Sequence, residues 1–170
     1  MTIPLTQTPT THSAPVITAA GDGFVLESRQ WVKRPLDETF AFFADAANLE
    51  KITPPFLGFD IRTPLPIAMH DGTLIEYRLS LMGLPMRWLS RIERWVPGQS
   101  FVDVQLRGPY ARWVHLHTFA AHDGGTMVQD RVEYTLPLAP LSLPAHAMFV
   151  RPMLERIFRH RCVVITRLLG

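Results

Sequence analysis

The 170-residue chain is 47% hydrophobic and 19% charged, a balance that supports one packed domain and excludes disorder over most of its length. Its net charge of +2, with no dense basic stripe interleaved with aromatics, argues against a nucleic-acid partner. The single cysteine, Cys162, excludes an intrachain disulfide and a cysteine zinc knuckle. The apolar runs are too short and too often broken by Arg, Pro and Gly to span a bilayer, so a cytoplasmic protein is expected.

Residues 1–22 are rich in Thr and Pro, and MTIPLTQTPTTHSAPVITAAG lacks Lys, Arg and a long apolar run; they read as a flexible tail rather than a signal peptide. One domain is then expected over 23–170. GFVLESRQWV (23–32) has the alternation of a strand. After it the period changes, with Leu36, Phe40, Phe43 and Ala44 at helical spacing behind Pro35, which suits a first helical turn. A second short helix opens near Asn48-Leu49 and is stopped by Pro54-Pro55. Six strands follow at 57–63, 73–81, 85–96, 100–107, 111–121 and 126–136, separated by turn signals such as Asp71-Gly72, Met82-Gly83, Pro97-Gly98, Gly108-Pro109 and Asp123-Gly124. Short connections of this kind predict an antiparallel meander. Finally, 143–170 repeats apolar residues at Phe149, Met153, Ile157, Val164 and Leu168, with Leu154, Cys162 and Ile165 nearby on the wheel. It predicts a long amphipathic helix, bent or begun at Pro152.

Two-residue turns fix candidate registers. A turn at Asp123-Gly124 sets Phe119 against Val128, His117 against Asp130, His115 against Val132 and Trp113 against Tyr134. A turn at Gly108-Pro109 sets Val104 against Trp113 and Val102 against His115, and one at Gly83-Leu84 sets Leu79 against Trp88 and Tyr77 against Ser90. The helix-facing side then carries Tyr77, Trp88, Ser90, Arg94, Trp113, His115, His117, Phe119, Asp130 and Tyr134 among aliphatic residues. Asp103 and Gln105 fall with Arg112 and Glu133 on a solvated outer row. So many polar groups on a covered face must pair with one another, hold water or meet a ligand, because each one left unsatisfied costs about 1–3 kcal/mol. A cavity accounts for them.

This order of elements, together with PPFLGFDIRTP, DGTLIEY, GLPMRW, GPYARWVHLHTF, DRVEYTLP and FVRPMLERIF, resembles the SRPBCC (START-like) superfamily over residues 24–169, and within it the uncharacterised cyclase/dehydrase-like branch. The resemblance implies an α+β helix-grip fold, here a curved seven-stranded antiparallel sheet around the long C-terminal helix with two short helices between strands 1 and 2. It also implies a deep apolar cavity. The superfamily contains lipid carriers, steroid-binding proteins and polyketide aromatase/cyclases, so it does not name the activity.

Three readings of the polar groups remain. His115, His117 and Asp130 could bind a metal, but no further ligand can be placed, and neither a metal nor a cofactor is expected. His117 and Asp130 could form a proton-transfer pair for a cyclisation or dehydration, the catalytic residues if the protein is an enzyme. The reading we favour is a binding site for a small hydrophobic molecule, such as a lipid, isoprenoid or polyketide-like compound, with the ten helix-facing residues named above as its walls and polar spots. The helix arginines Arg151, Arg156, Arg159, Arg161 and Arg167 form a basic face, for which transient contact with a membrane is an extension of lipid carriage.

Overall fold

The structure, a computed structural model, describes residues 13–81, 83–138 and 141–170. The alternating stretches form β1 (Val16–Ala20), β2 (Gly23–Val32), β3 (Asp60–Ile61), β4 (Leu74–Leu81), β5 (Leu84–Val96), β6 (Ser100–Arg107), β7 (Arg112–His122) and β8 (Gly125–Thr135). They make one antiparallel sheet in the order β1-β2-β8-β7-β6-β5-β4-β3, so among the described residues the only non-sequential pairing is β2 with β8. Between β2 and β3 lie α1 (Leu36–Ala44), α2 (Asn48–Ile52) and a 3-10 turn (Pro55–Leu57). As expected, Pro35 sits at the entry of α1 and Pro54-Pro55 closes α2.

The described residues contain eight strands where seven were expected. The additional strand, β1, comes from the stretch read as a tail. Gly21, with φ +58, allows a two-residue turn that pairs Ala20 with Gly23, and Ile17 becomes part of the core. Residues 1–12, the rest of that expected tail, lie outside the described residues. The stretch 57–63 contributes only the two residues of β3 to the sheet.

Of the three expected registers, β7–β8 holds at every named pair. The β4–β5 hairpin closes at Leu81 and Leu84, so pairs slide by two residues, with Tyr77 opposite Trp88 and Ile75 opposite Ser90. A slide of two keeps the same side chains on the inner face. The β6–β7 register differs by one, which reverses β6: Asp103 lies opposite His115 and Phe101 opposite His117. The cause is a longer connection than the Gly108-Pro109 turn allows. The Gln105 side chain donates to Tyr110 O at 2.8 Å and accepts from Tyr110 N at 3.4 Å, closing a loop that carries the Tyr110 ring into the core.

The chain ends in α3 (Leu143–Ala145), a π-helical turn (His146–Val150) and α4 (Arg151–Leu169). Pro152 has no N–H to return to the preceding turn, and the backbone widens just before it. The buried stripe of α4 is Leu154, Phe158, Cys162 and Ile165. The expected stripe is rotated from this one, and its ends, Phe149 and Leu168, are exposed. Gln30 of β2 donates to Cys162 O (2.7 Å) and Thr166 Oγ1 (2.9 Å), tying the second half of α4 to the sheet. Between the first half of α4 and β4–β7 there is space.

Candidate functional site

That space is a hollow with an open mouth. Its floor comes from the inner faces of β4–β7 (Tyr77, Leu79, Trp88, Asp103, Trp113, His115, His117), one wall from α2 and the turn after it, and its roof from Met153, Leu154, Ile157, Phe158 and Arg161 of α4. Tyr77 stacks on Trp88 at 5.9 Å, and Trp88 meets Trp113 edge to face at 5.4 Å, so the floor is aromatic. A second hollow, rimmed by Leu84, Pro109 and Phe149, adjoins it at Leu81, Tyr110 and Met153.

The opposite end is polar. Asp130 Oδ1 accepts a hydrogen bond from His115 Nε2 at 2.8 Å. His117 Nδ1 stands 3.0 Å from the same oxygen, at an angle too bent for a proper bond, and has no other partner. The two imidazoles lie against each other at 3.8 Å, and His117 stacks on Phe101 at 4.4 Å. Burial, reinforced by the neighbouring His117, pushes the His115 pKa down from 6.5 to about 3 against the pull of Asp130, so the ring is neutral and its contact with the carboxylate is a hydrogen bond rather than an ion pair. For Asp130, burial acts upward but is outweighed by the two imidazoles, which hold its carboxyl well below the usual carboxylate range.

On the facing strand, Ser90 Oγ accepts from Trp88 Nε1 at 3.0 Å and lies 3.3 Å from Tyr77 Oη. Burial, with the nearby Asp103 charge, raises the Tyr77 phenol well above its ordinary value, so it keeps its proton. Burial also raises the Asp103 carboxyl, and Asp103 Oδ1 has no hydrogen-bond partner.

The structure therefore divides the expected site. Tyr77, Trp88, Trp113, His115 and His117 line the hollow. Ser90 and Asp130 stand behind that wall and orient what faces it. Phe119 packs with Phe40 and Phe43 in the core, and Tyr134 is buried with its hydroxyl 2.8 Å from His146 Nε2; neither borders the main hollow. Arg94 is a correction: β5 carries a bulge between Glu93 and Val96, Arg94 takes φ +50, and the residue is exposed rather than lining the hollow.

Asp103 and Arg161 were assigned outward by sequence and are inward. The signal for Arg161 was present, since Leu154, Phe158, Arg161 and Ile165 follow i, i+4, i+7, i+11, a single helical face. For Asp103 nothing short of the correct loop length could reveal it. The donor atoms of His115, His117 and Asp130 lie within 4.8 Å of one another, close enough to surround a cation, although a direct hydrogen bond already joins two of them.

The model of the family described as polyketide cyclase / dehydrase and lipid transport matches residues 32–161. The chain belongs to this family. It thereby falls in the SRPBCC superfamily that its sequence resembles. Among solved structures it is similar to protein Ms6760 of Mycobacterium smegmatis (18% identity, TM-score 0.65, covering 90% of this chain and 95% of that one). It is also similar to the protein TTHA0849 of Thermus thermophilus (16%, 0.63, 84% and 94%). A third is StfQ, a di-domain aromatase/cyclase from the steffimycin biosynthetic pathway (14%, 0.62), where 84% of this chain covers 50% of that one. At these identities the likeness is one of fold. No curated protein matches this member of the family in sequence. None of its described helices is long and apolar enough to cross a membrane.

Proposed function

We propose that this domain binds a small hydrophobic molecule, a lipid, isoprenoid or polyketide-like compound, between the sheet and α4, and acts in the cytoplasm as a carrier or sensor. The observation that supports it is the hollow itself: an aromatic floor of Tyr77, Trp88 and Trp113, a roof that is apolar apart from Arg161, and polar groups gathered at one end, the usual composition of a small-molecule site. The family description, which joins cyclases with lipid transport, favours the same class of ligand. The acting unit is the single domain from Gly23 onward together with β1, and contact of the basic face of α4 with a membrane extends the carrier reading. Native mass spectrometry of protein purified from its own host, followed by extraction, tests it. A retained hydrophobic molecule that is lost on Trp88→Ala supports the reading, and protein that neither retains nor takes up any such molecule refutes it.

One observation favours a second reading. His117 faces the hollow while its Nδ1 approaches an ionised carboxylate, the arrangement of a proton-transfer pair in a cyclase/dehydrase-like enzyme, with His117 as the group touching substrate and Asp130 positioning it. His117→Ala distinguishes the two. In an enzyme it abolishes turnover with binding retained; in a carrier it weakens binding, and no turnover exists to lose.

A further inference from the structure

Arg161 enters the hollow from the buried face of α4, with its guanidinium 5.5 Å over the Phe158 ring. Two of its nitrogens, Nε and Nη2, are sealed from solvent and have no hydrogen-bond partner. These two form one edge of the guanidinium, and their N–H bonds point the same way, which is the fork that grips both oxygens of a carboxylate. Arg161 is half-buried, but this edge of it is sealed and empty, which is costly for a cation, and an incoming anion removes the cost. Asp103 Oδ1, on the floor of the same hollow, is equally unpartnered.

We propose that the ligand is an amphiphilic monocarboxylic acid whose carboxylate docks on the Nε–Nη2 edge of Arg161, beside Asp103 and His117, while its apolar body lies along Trp88 and Trp113. This rests on the hydrophobic-ligand reading above and adds the chemistry of the head group. A phosphate would fit less well, because it carries more charge and more acceptor oxygens than a single arginine edge can satisfy, and among the described residues Arg161 is the one permanent cation lining the hollow. Burial raises the Asp103 carboxyl from its ordinary value, which weakens its opposition to a neighbouring carboxylate.

The test uses the full chain and cis-parinarate, a polyene fatty acid that fluoresces in apolar surroundings, alongside its methyl ester, which has the same body and no charge. The acid should bind about ten- to hundred-fold more tightly than the ester, the range expected for charge-assisted hydrogen bonds. Arg161→Gln should bring the acid down to the affinity of the ester and leave the ester unchanged. Equal binding of acid and ester by the wild type overturns the carboxylate but leaves the hydrophobic-ligand reading standing. Failure of both to bind overturns the two together. If Arg161→Gln weakens acid and ester alike, the arginine is structural and the proposal falls. Should that variant not fold, Arg161→Lys, which keeps the charge and loses the fork, should cost most of the preference for the acid, and the wild-type ratio of acid to ester stands on its own as a test.

Discussion

Lowering the pH from about 7 to about 5 charges a free histidine but leaves His115 neutral. The ring is 5% exposed, and burial with the neighbouring His117 brings its pKa from 6.5 to about 3. In the unfolded chain the same ring titrates near its ordinary value. Between the two values the unfolded state takes up a proton that the folded state refuses, so stability falls as the pH drops through 6.5 and goes on falling to about 3, while above 6.5 the ring has no such effect. At about pH 5, some one and a half units below the unfolded value, the loss is roughly 2 kcal/mol. His146, lowered by burial and by Arg151, adds to the loss with the same sign. Asp130 contributes stability above the usual carboxylate range that is lost further into acid, and Asp103, whose pKa is raised, contributes stability at low pH that is lost as the pH rises through its folded value. The assay is urea unfolding at the two pH values for the wild type and for His115→Gln, which can still donate to Asp130 but does not titrate. The variant should lose roughly 2 kcal/mol less than the wild type over this interval. Identical pH dependence in the two proteins would refute the argument, because it would mean that His115 either charges inside the fold or titrates unshifted.

Three further substitutions probe the frame around the hollow. Gln30→Ala removes both side-chain bonds that tie β2 to the second half of α4 and should lower the unfolding free energy by about 1–3 kcal/mol in urea. Ser90→Ala leaves the buried Trp88 Nε1 without its acceptor; a cost of about 1–3 kcal/mol and a shifted tryptophan emission are expected, and an unchanged spectrum would place that N–H elsewhere. At Gly125 a Cβ would collide with the Val32 carbonyl and the Trp31 ring, so Gly125→Ala should lower the melting temperature, with a cost of about 1–3 kcal/mol if the β2–β8 pairing yields.

The hairpin β7–β8 was legible residue by residue because Asp123-Gly124 admits a two-residue turn, and parity then assigns every side chain. The β4–β5 pairing shows how robust parity is: its partners moved by two and the inner face survived. The β6–β7 hairpin shows the limit. Gly108-Pro109 looks like a turn, yet a glutamine bridge three residues earlier builds a longer loop, and a single added residue reverses the strand. β1 was missed for another reason. Its composition resembles a tail, and its place in the sheet depends on pairing with β2, a tertiary fact that local pattern does not carry.

The sequence reading places Asp103 outward through the register of the β6–β7 turn and Arg161 outward with the other helix arginines, and both placements agree with the rule that a charged side chain is cheapest in water. The fold breaks that rule twice at one spot and leaves hydrogen-bonding atoms of both residues empty. A sequence selected for stability alone would close such a gap, either by bringing the two charges into contact or by replacing them with apolar residues of similar size, which for buried ion pairs is often neutral or stabilising. Retaining both, with these atoms unpartnered, on the lining of an aromatic-floored hollow is how a site awaiting a third group differs from a structural ion pair. The same pattern that misplaces these residues in a sequence reading therefore directs attention to them in the structure.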